Sequence, residues 1–136
     1  MVRNIMKDPV FLSRKSADAT LMDLPAAKDL EDTLAANSEA CVGMAANMIG
    51  IAKRIIVFLN NGEYTTMFNP EIVKKAGKYE TQEGCLSLSG VRTTERYRTI
   101  TVKYQDRQFK PHTESFSGYT AQIIQHEIDH CSGKLI

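Results

Sequence analysis

The middle of the chain alternates apolar and polar positions in the way that predicts β-strands. Residues 54–59 form a short apolar run, and the Asn-Gly pair at 61–62 is the turn signal of a hairpin that continues over residues 64–68. Further strands are predicted over residues 72–79 and over residues 99–104, where the alternation is clean. The centre of the chain is therefore predicted to form a sheet.

Two other segments repeat apolar residues with the period of a helix. The first helix is predicted to begin at Asp23, which can cap it, and to end near Asn37. The second is predicted to begin at residue 117 or 118 and to run to about Cys131, with Gly133 closing it. Their stripes are Leu24, Ala27, Leu30 and Leu34 in the first helix, and Tyr119, Ile123, His126 and His130 in the second. The second stripe directs histidines into the protein.

These elements predict an α+β fold, with mostly antiparallel strands around a C-terminal helix and one N-terminal helix packed outside. The chain has 136 residues, of which 43% are hydrophobic, and it contains no repeats, low-complexity tracts or linkers. That length and composition suit a single domain over residues 1–136.

The charges are nearly balanced, with 17 Lys and Arg against 16 Asp and Glu, so no overall field favours sequence-specific nucleic acid or an anionic membrane. The N-terminus lacks the apolar core of a signal peptide, and no apolar run reaches membrane-spanning length. We therefore expect a cytoplasmic protein. Three cysteines, an odd number, suit a reducing compartment where a thiolate stays free to bind metal.

The sequence His-Glu-Ile-Asp-His at residues 126–130 is a candidate metal-binding motif. On the predicted helix His126 and His130 lie about one turn apart on one face, so both imidazoles can bind one ion. Glu127 would lie beside that ion, placed to move protons for a bound water. The pattern favours half of a metal site over two surface histidines.

A third ligand has to come from upstream, because residues 131–136 contain no further His, Asp or Glu. This excludes zinc proteases that take their third ligand downstream. Cys131 points away from both histidines on a helix and is expected to be a packing residue. Cys41, Cys85, His112 and the upstream carboxylates remain candidates. Cys85 is favoured by its polar, glycine-bearing setting, and a set of two histidines and one cysteine leaves a fourth position open for water.

Three segments, in order, resemble the three motifs of peptide deformylases, the metalloenzymes that remove the formyl group from the initiating methionine of new bacterial polypeptides. They are residues 42–48 (VGMAANM), 83–87 (EGCLS) and 125–130 (QHEIDH). The flanking residues 68–70 and 133–135 are similar as well, so the resemblance covers nearly the whole chain. The chain is identified as a divergent, short, deformylase-like member with an altered first motif.

The resemblance implies the same α+β fold and one divalent ion held by Cys85, His126 and His130. It implies Glu127 as general acid and base, and the Leu86 backbone N–H as a donor to the oxyanion. Ferrous iron is the expected ion in the cell, with Zn²⁺, Ni²⁺ and Co²⁺ as alternatives. The implied partners are N-formylated nascent peptides and the ribosome, for an enzyme of N-terminal methionine processing that is expected to be a monomer.

The first motif departs from the family pattern at two positions. Cys41 takes the place of a glycine, and Met48 takes the place of a glutamine whose amide helps to hold the oxyanion. A thioether donates no hydrogen bond, and the loss of one such donor costs on the order of a hundred- to a thousandfold in turnover. Weak activity is therefore expected rather than none. Asn47 is a hypothetical replacement donor.

The substrate is expected to lie extended along Val42-Gly43-Met44 as an added strand, a mode that suits peptides of many sequences. Its first side chain would enter a pocket in which Gln122 is more polar than a methionine site needs. The expected substrate-binding residues are Val42, Gly43, Met44, Glu83, Gly84, Arg92, Gln122 and Ile123, and His126 also borders the pocket.

Two other function classes remain open on the residues. A deformylase-like protein that has lost catalysis and binds peptides is favoured by Met48. A proteolytic metalloenzyme is compatible with the third motif alone, but the lack of a downstream ligand and the motif around Cys85 argue against it.

Overall fold

The computed structural model describes residues 1–136, and its main feature is an antiparallel sheet of five strands. The strands are β1 Gly43–Ala45, β2 Ile55–Asn60, β3 Glu63–Cys85, β4 Leu88–Gln105 and β5 Pro111–Ser117. The helices are α1 Pro9–Leu12, α2 Leu24–Ala36 and α3 Gly118–Cys131, and two 3-10 turns occupy Leu21–Asp23 and Ala46–Ile49. The strands follow one another across the sheet in chain order, so each is paired with its sequence neighbour. The predicted α+β class is confirmed.

The predicted hairpin between β2 and β3 is confirmed. Asn61 and Gly62 both have positive φ, 51° and 85°, which is the conformation of a two-residue type I′ turn. The turn sets a register that pairs Asn60 with Glu63 and Ile55 with Phe68.

The strands predicted over residues 72–79 and 99–104 are parts of two much longer strands, β3 and β4, which form one hairpin. The alternation of apolar and polar residues did not predict the remaining parts of β3 and β4. Much of the hairpin is exposed there, so the sequence carries no alternating apolar residues. Register shifts interrupt the pairing at three places, the last between Gly84 and Cys85. Cys85 pairs with Leu88 and therefore lies at the turn of the hairpin.

The segment around His112 forms the edge strand β5. Proline is tolerated there because Pro111 is the first residue of an edge strand. His112 lies at the surface, where its ring stacks on Tyr104 and its Nε2 lies 2.7 Å from Asp106 Oδ2.

The sheet lies between α2 and α3, and β2, the strand next to the edge strand β1, is buried on both faces. Ile55 and Val57 pack into one apolar cluster with α2, whereas Ile56 and Phe58 pack into the other cluster with α3. The two clusters explain why residues 54–59 are apolar at consecutive positions. None of the helices has the length and apolar character that a membrane span requires.

The start of α2 differs in detail from the prediction. Asp23 occupies the N-cap position, but its side chain makes no capping hydrogen bond to α2. It instead accepts a hydrogen bond from the Thr20 backbone N–H at 2.8 Å and closes a capping box around the preceding 3-10 turn.

Helix α3 has the predicted bounds, and Gly133 follows it with a φ of +79°. A Cβ atom at Gly133 would lie 2.8 Å from the carbonyl carbon of Ser13, so the chain has room only for glycine. One part of the predicted stripe is wrong. Tyr119 is 65% exposed, while Ile123, His126 and His130 are buried.

We expect Gly133→Ala to lower the free energy of unfolding by about 2–5 kcal/mol, because a left-handed backbone and a steric clash both oppose the new Cβ. Gly62→Ala is the matched control, since its φ is +85° but nothing lies within 4 Å of its Cβ position. The control should cost only about 1–2 kcal/mol. Urea denaturation of both variants measures the difference, and equal losses would contradict the clash.

Candidate metal centre and catalytic site

Three atoms that could bind a metal ion converge where the β3–β4 hairpin meets α3. The Sγ of Cys85 lies 3.4 Å from Nε2 of His130, which lies 3.1 Å from Nε2 of His126. All three atoms lie within 4.8 Å of one another. Ligands about 2.0–2.3 Å from a tetrahedral ion are separated by roughly 3.3–3.7 Å, so the set fits one metal ion. Neither Cys41 nor His112 belongs to this set.

The local structure explains the convergence. His126 and His130 are four residues apart on α3, and their ring centroids lie 4.8 Å apart. Both are buried because α3 packs its apolar face on the sheet. Cys85 enters from the turn of the long hairpin. Cys131 is buried in the apolar cluster beside α3 and burial raises the pKa of its thiol to about 12, as expected for a packing residue.

Glu83 orients His126 from behind. Its Oε1 lies 2.8 Å from the ring Nδ1, which leaves Nε2 free to face the other two ligand atoms. Burial would raise the pKa of Glu83, but hydrogen bonds from His126, Arg96 and Gln122 outweigh it and lower the pKa to about 2. The carboxylate is therefore ionised at neutral pH although it is 7% exposed.

Sequence reasoning missed Arg96, the buried cation of the site. Its Nε and Nη2 donate to Glu83 at 2.9 and 2.7 Å, and its Nη1 donates to Asp129 at 2.7 Å. The predicted residue, Arg92, pairs with Glu83 across the strands, but its guanidinium reaches Ser89 O at 3.4 Å and does not line the cavity. A strand bearing several arginines contains no signal for which of them turns inward.

Glu127 follows His126 on α3 and lines the same cavity. It is 4% exposed, and its Oε1 has no hydrogen-bond partner within the protein. Burial raises the pKa of Glu127 to about 7, although the charge of His126 opposes the rise. A Cβ at Gly43 would lie 3.0 Å from Oε2 of Glu127 and 2.7 Å from Ile123, so glycine is needed for this packing.

The site opens into a cavity of about 580 Å³. The expected substrate residues on its wall are Val42, Gly43, Glu83, Gly84, Gln122 and Ile123. Leu86, Met48, Glu127 and Cys85 also line it. Met44 does not, because it is fully buried in the apolar cluster with α2.

Strand β1 forms one edge of the sheet and borders this cavity. Val42 O accepts a hydrogen bond from Leu59 N at 2.8 Å, so by antiparallel alternation the backbone groups of Gly43 point away from β2. The Cys41 thiol donates to Gly43 O at 2.8 Å, and burial raises the pKa of that thiol to about 11. This edge of β1 is paired with no other strand.

The turn after β1 directs two neighbouring side chains differently. Met48 is 1% exposed and reaches the cavity wall, where its thioether offers no hydrogen-bond donor. The Asn47 amide turns away, because its Nδ2 donates to His130 O at 2.9 Å. The suggestion that Asn47 replaces the missing donor is therefore not supported, since its amide is already committed and does not line the cavity.

Comparison with known proteins gives consistent matches. The chain matches the family model of polypeptide deformylase over residues 2–136. It is 54% identical to the peptide deformylase of Clostridium beijerinckii over 136 residues, with complete coverage of both chains. It is 37% identical to that of Pseudothermotoga lettingae, with 99% of this chain and 81% of the relative covered.

Solved structures of peptide deformylases have a similar fold. The Met-Ala-Ser-bound class I type b peptide deformylase of Acinetobacter baumannii superposes with a TM-score of 0.89 at 28% identity, covering 99% of this chain and 97% of that one. A Legionella pneumophila peptide deformylase gives 0.88 at 35% identity, with 99% and 83% covered. From the match along nearly its whole length and the 54% identity, the chain belongs to the polypeptide deformylase family, whose members are metal-dependent hydrolases.

Proposed function

We propose that this protein removes the formyl group from N-formylmethionyl peptides and releases formate, using the site at the meeting point of the β3–β4 hairpin and α3. The observation that carries the proposal is the convergence of Cys85, His126 and His130 beside a buried Glu127 with an unpartnered oxygen. The family and its structural neighbours support the same activity, since the relatives are peptide deformylases.

Cys85 Sγ and the Nε2 atoms of His126 and His130 would hold the ion. One thiolate and two imidazoles suit Fe²⁺, Zn²⁺, Ni²⁺ and Co²⁺, and we propose ferrous iron in the cell. When bound, the ion polarises the formyl carbonyl and lowers the pKa of a water. Glu83 keeps the His126 ring in the orientation that presents Nε2.

Glu127 performs the proton transfers in this proposal. Its carboxylate takes a proton from the attacking water and returns it to the amine nitrogen as the C–N bond breaks. A pKa of about 7 suits both roles, because the group can accept and release a proton near neutral pH. Gly43 leaves the space that brings this carboxylate to the cavity.

Leu86 is the proposed oxyanion donor through its backbone N–H, since it lies next to Cys85 at the hairpin turn and lines the cavity. Met48 lies where a second donor is expected and provides none. We therefore propose slow turnover. The same observation favours the second candidate function, peptide binding without catalysis.

The peptide would lie extended along the free edge of β1, with its backbone pairing with Gly43 and its first side chain entering the cavity near Gln122 and Ile123. The Acinetobacter baumannii relative is a deformylase with Met-Ala-Ser bound. Its peptide supports this proposed substrate class. We further propose that the protein acts as a monomer in the cytoplasm, on formylated nascent chains at the ribosome.

Glu127→Gln should lower the rate of formate release from formyl-Met-Ala-Ser by about 10²- to 10⁴-fold, because no proton acceptor remains. Metal content, measured on the same samples, should stay unchanged. Glu39→Gln, at an exposed position, is the control and should retain full activity. Formate release that persists in Glu127→Gln would reject its role. If the loaded native protein released no formate but bound the peptide, the second function would replace the first.

Met48→Gln should raise the turnover number by up to about 10²- to 10³-fold, because the new amide can donate to the oxyanion. Met48→Leu is the matched control, since it fills similar volume without a donor and should leave turnover near that of the native protein. A rise of the same size in both variants, or in neither, would show that the missing donor does not limit the rate.

Glu83 should make the metal-free protein less stable as the pH falls into the acid range. Its folded-state pKa of about 2 lies below the ordinary 4.5, so its contribution is fully present above pH 4.5 and is lost as the pH falls toward 2. The shift corresponds to on the order of 3 kcal/mol. In urea denaturation, the difference between native protein and Glu83→Gln should shrink by about that amount from pH 5 to pH 2. A difference between the two proteins that stays constant from pH 5 to pH 2 would contradict the lowered pKa of Glu83.

A further inference from the structure

Two buried polar atoms lie unpaired at the last turn of α3, next to the metal ligands. They are Nδ1 of His130, a residue with no exposed surface, and Oδ1 of Asn47, which is 1% exposed. Neither has a hydrogen-bond partner within the protein. The two residues already touch, because Asn47 Nδ2 donates to the backbone carbonyl of His130 at 2.9 Å.

The chemistry of the two atoms is complementary. His130 directs Nε2 toward the other two ligand atoms, so in the metal-bound form Nδ1 has to carry the ring proton and is a donor. Asn47 has to direct its nitrogen to the His130 carbonyl, since that carbonyl can only accept. Its oxygen is consequently the free atom, and it is an acceptor.

The two histidines of the site are supported unequally. His126 has Glu83 behind its Nδ1 at 2.8 Å, in the manner of a carboxylate that orients a metal-binding imidazole. His130 has no such partner among the hydrogen bonds of the structure. Metal-binding histidines almost always donate their second ring N–H to an acceptor, and Asn47 Oδ1 is the unpaired acceptor on a side chain that contacts His130.

We propose that Asn47 is the positioning residue of His130. Its Oδ1 accepts the Nδ1 proton of the metal-bound imidazole, directly or through one water, while its Nδ2 holds the end of α3. The 3-10 turn Ala46–Ile49 thereby fixes the second histidine as Glu83 fixes the first. The inference rests on the proposed metal centre, and it assigns a role in metal binding that no step of the proton transfer uses.

The test measures the affinity of the metal-free protein for Zn²⁺ by competition with a chromogenic chelator. Asn47→Leu keeps the volume and loses both hydrogen bonds, so affinity should fall about 10- to 100-fold. Asn47→Asp keeps the acceptor but loses the donor to the His130 carbonyl, so affinity should stay within about threefold of native. A purely structural role of Asn47 would weaken both variants equally, and that result would overturn the proposal.

Ser16→Ala is the local control. Its Oγ is also unpaired and buried, and its backbone N–H donates to Cys131 O at 2.9 Å, in the same turn of α3. Zn²⁺ affinity should not change in this variant. A loss equal to that of Asn47→Leu would mean that any disturbance of the helix end weakens binding, which would overturn the specific role of Asn47.

A second measurement uses the native protein loaded with Co²⁺, so it does not depend on whether a variant folds. The paramagnetically shifted proton spectrum should contain two exchangeable imidazole N–H signals, one from each histidine, both protected from solvent exchange. A single protected signal would overturn the proposal, because an unbonded His130 proton exchanges rapidly. Failure of the native protein to bind one Zn²⁺ or Co²⁺ would instead reject the metal centre itself, independently of formate release.

Discussion

Glu83 brings a carboxylate into the protein interior, and the elements around it are arranged to satisfy that charge. It accepts hydrogen bonds from Arg96 on β4 and from Gln122 and His126 on α3. Leaving such a buried charge unpaired costs about 3–5 kcal/mol, so the partners are held firmly. Because Arg96 also reaches Asp129, the network joins the long hairpin to α3, the two elements that carry Cys85, His126 and His130. The charged network therefore lies directly behind the His126 ring.

Glu127 is a buried carboxylate in the opposite situation. No cation or amide donates to Glu127 Oε1, and burial raises the pKa of Glu127 to about 7. The donors around Glu83 instead lower the pKa of Glu83 to about 2. Two carboxylates within one site thus have different protonation behaviour because their surroundings differ. Glu83 therefore remains ionised beside His126, whereas Glu127 can be protonated or ionised near neutral pH.

The turn after β1 shows how neighbouring residues serve different parts of the site. Met48 contributes an apolar surface to the cavity, which lowers its capacity to stabilise negative charge. Asn47 faces α3 and holds its last turn. Gly43, just upstream, lacks a side chain and so lets Glu127 approach the free strand edge. Residues 43–48 therefore contact both the cavity and the last turn of α3.

Local sequence determined the elements whose signals are short-range. The type I′ turn at Asn61-Gly62, the bounds of α3, and the pairing of His126 with His130 on one face all follow from residue type and spacing. Cys85 was favoured by its local setting, and the structure brings its Sγ close to the two imidazoles. Other features of the fold and the site were decided only by the tertiary structure, because they depend on contacts between residues that are distant in the chain. Such contacts select Arg96 over Arg92, extend the exposed strands beyond their alternation, expose Tyr119 at the cavity mouth, and turn the Asn47 amide toward a helix end 83 residues away. A buried carboxylate or carbonyl requires a donor, but only the folded chain determines which donor reaches it.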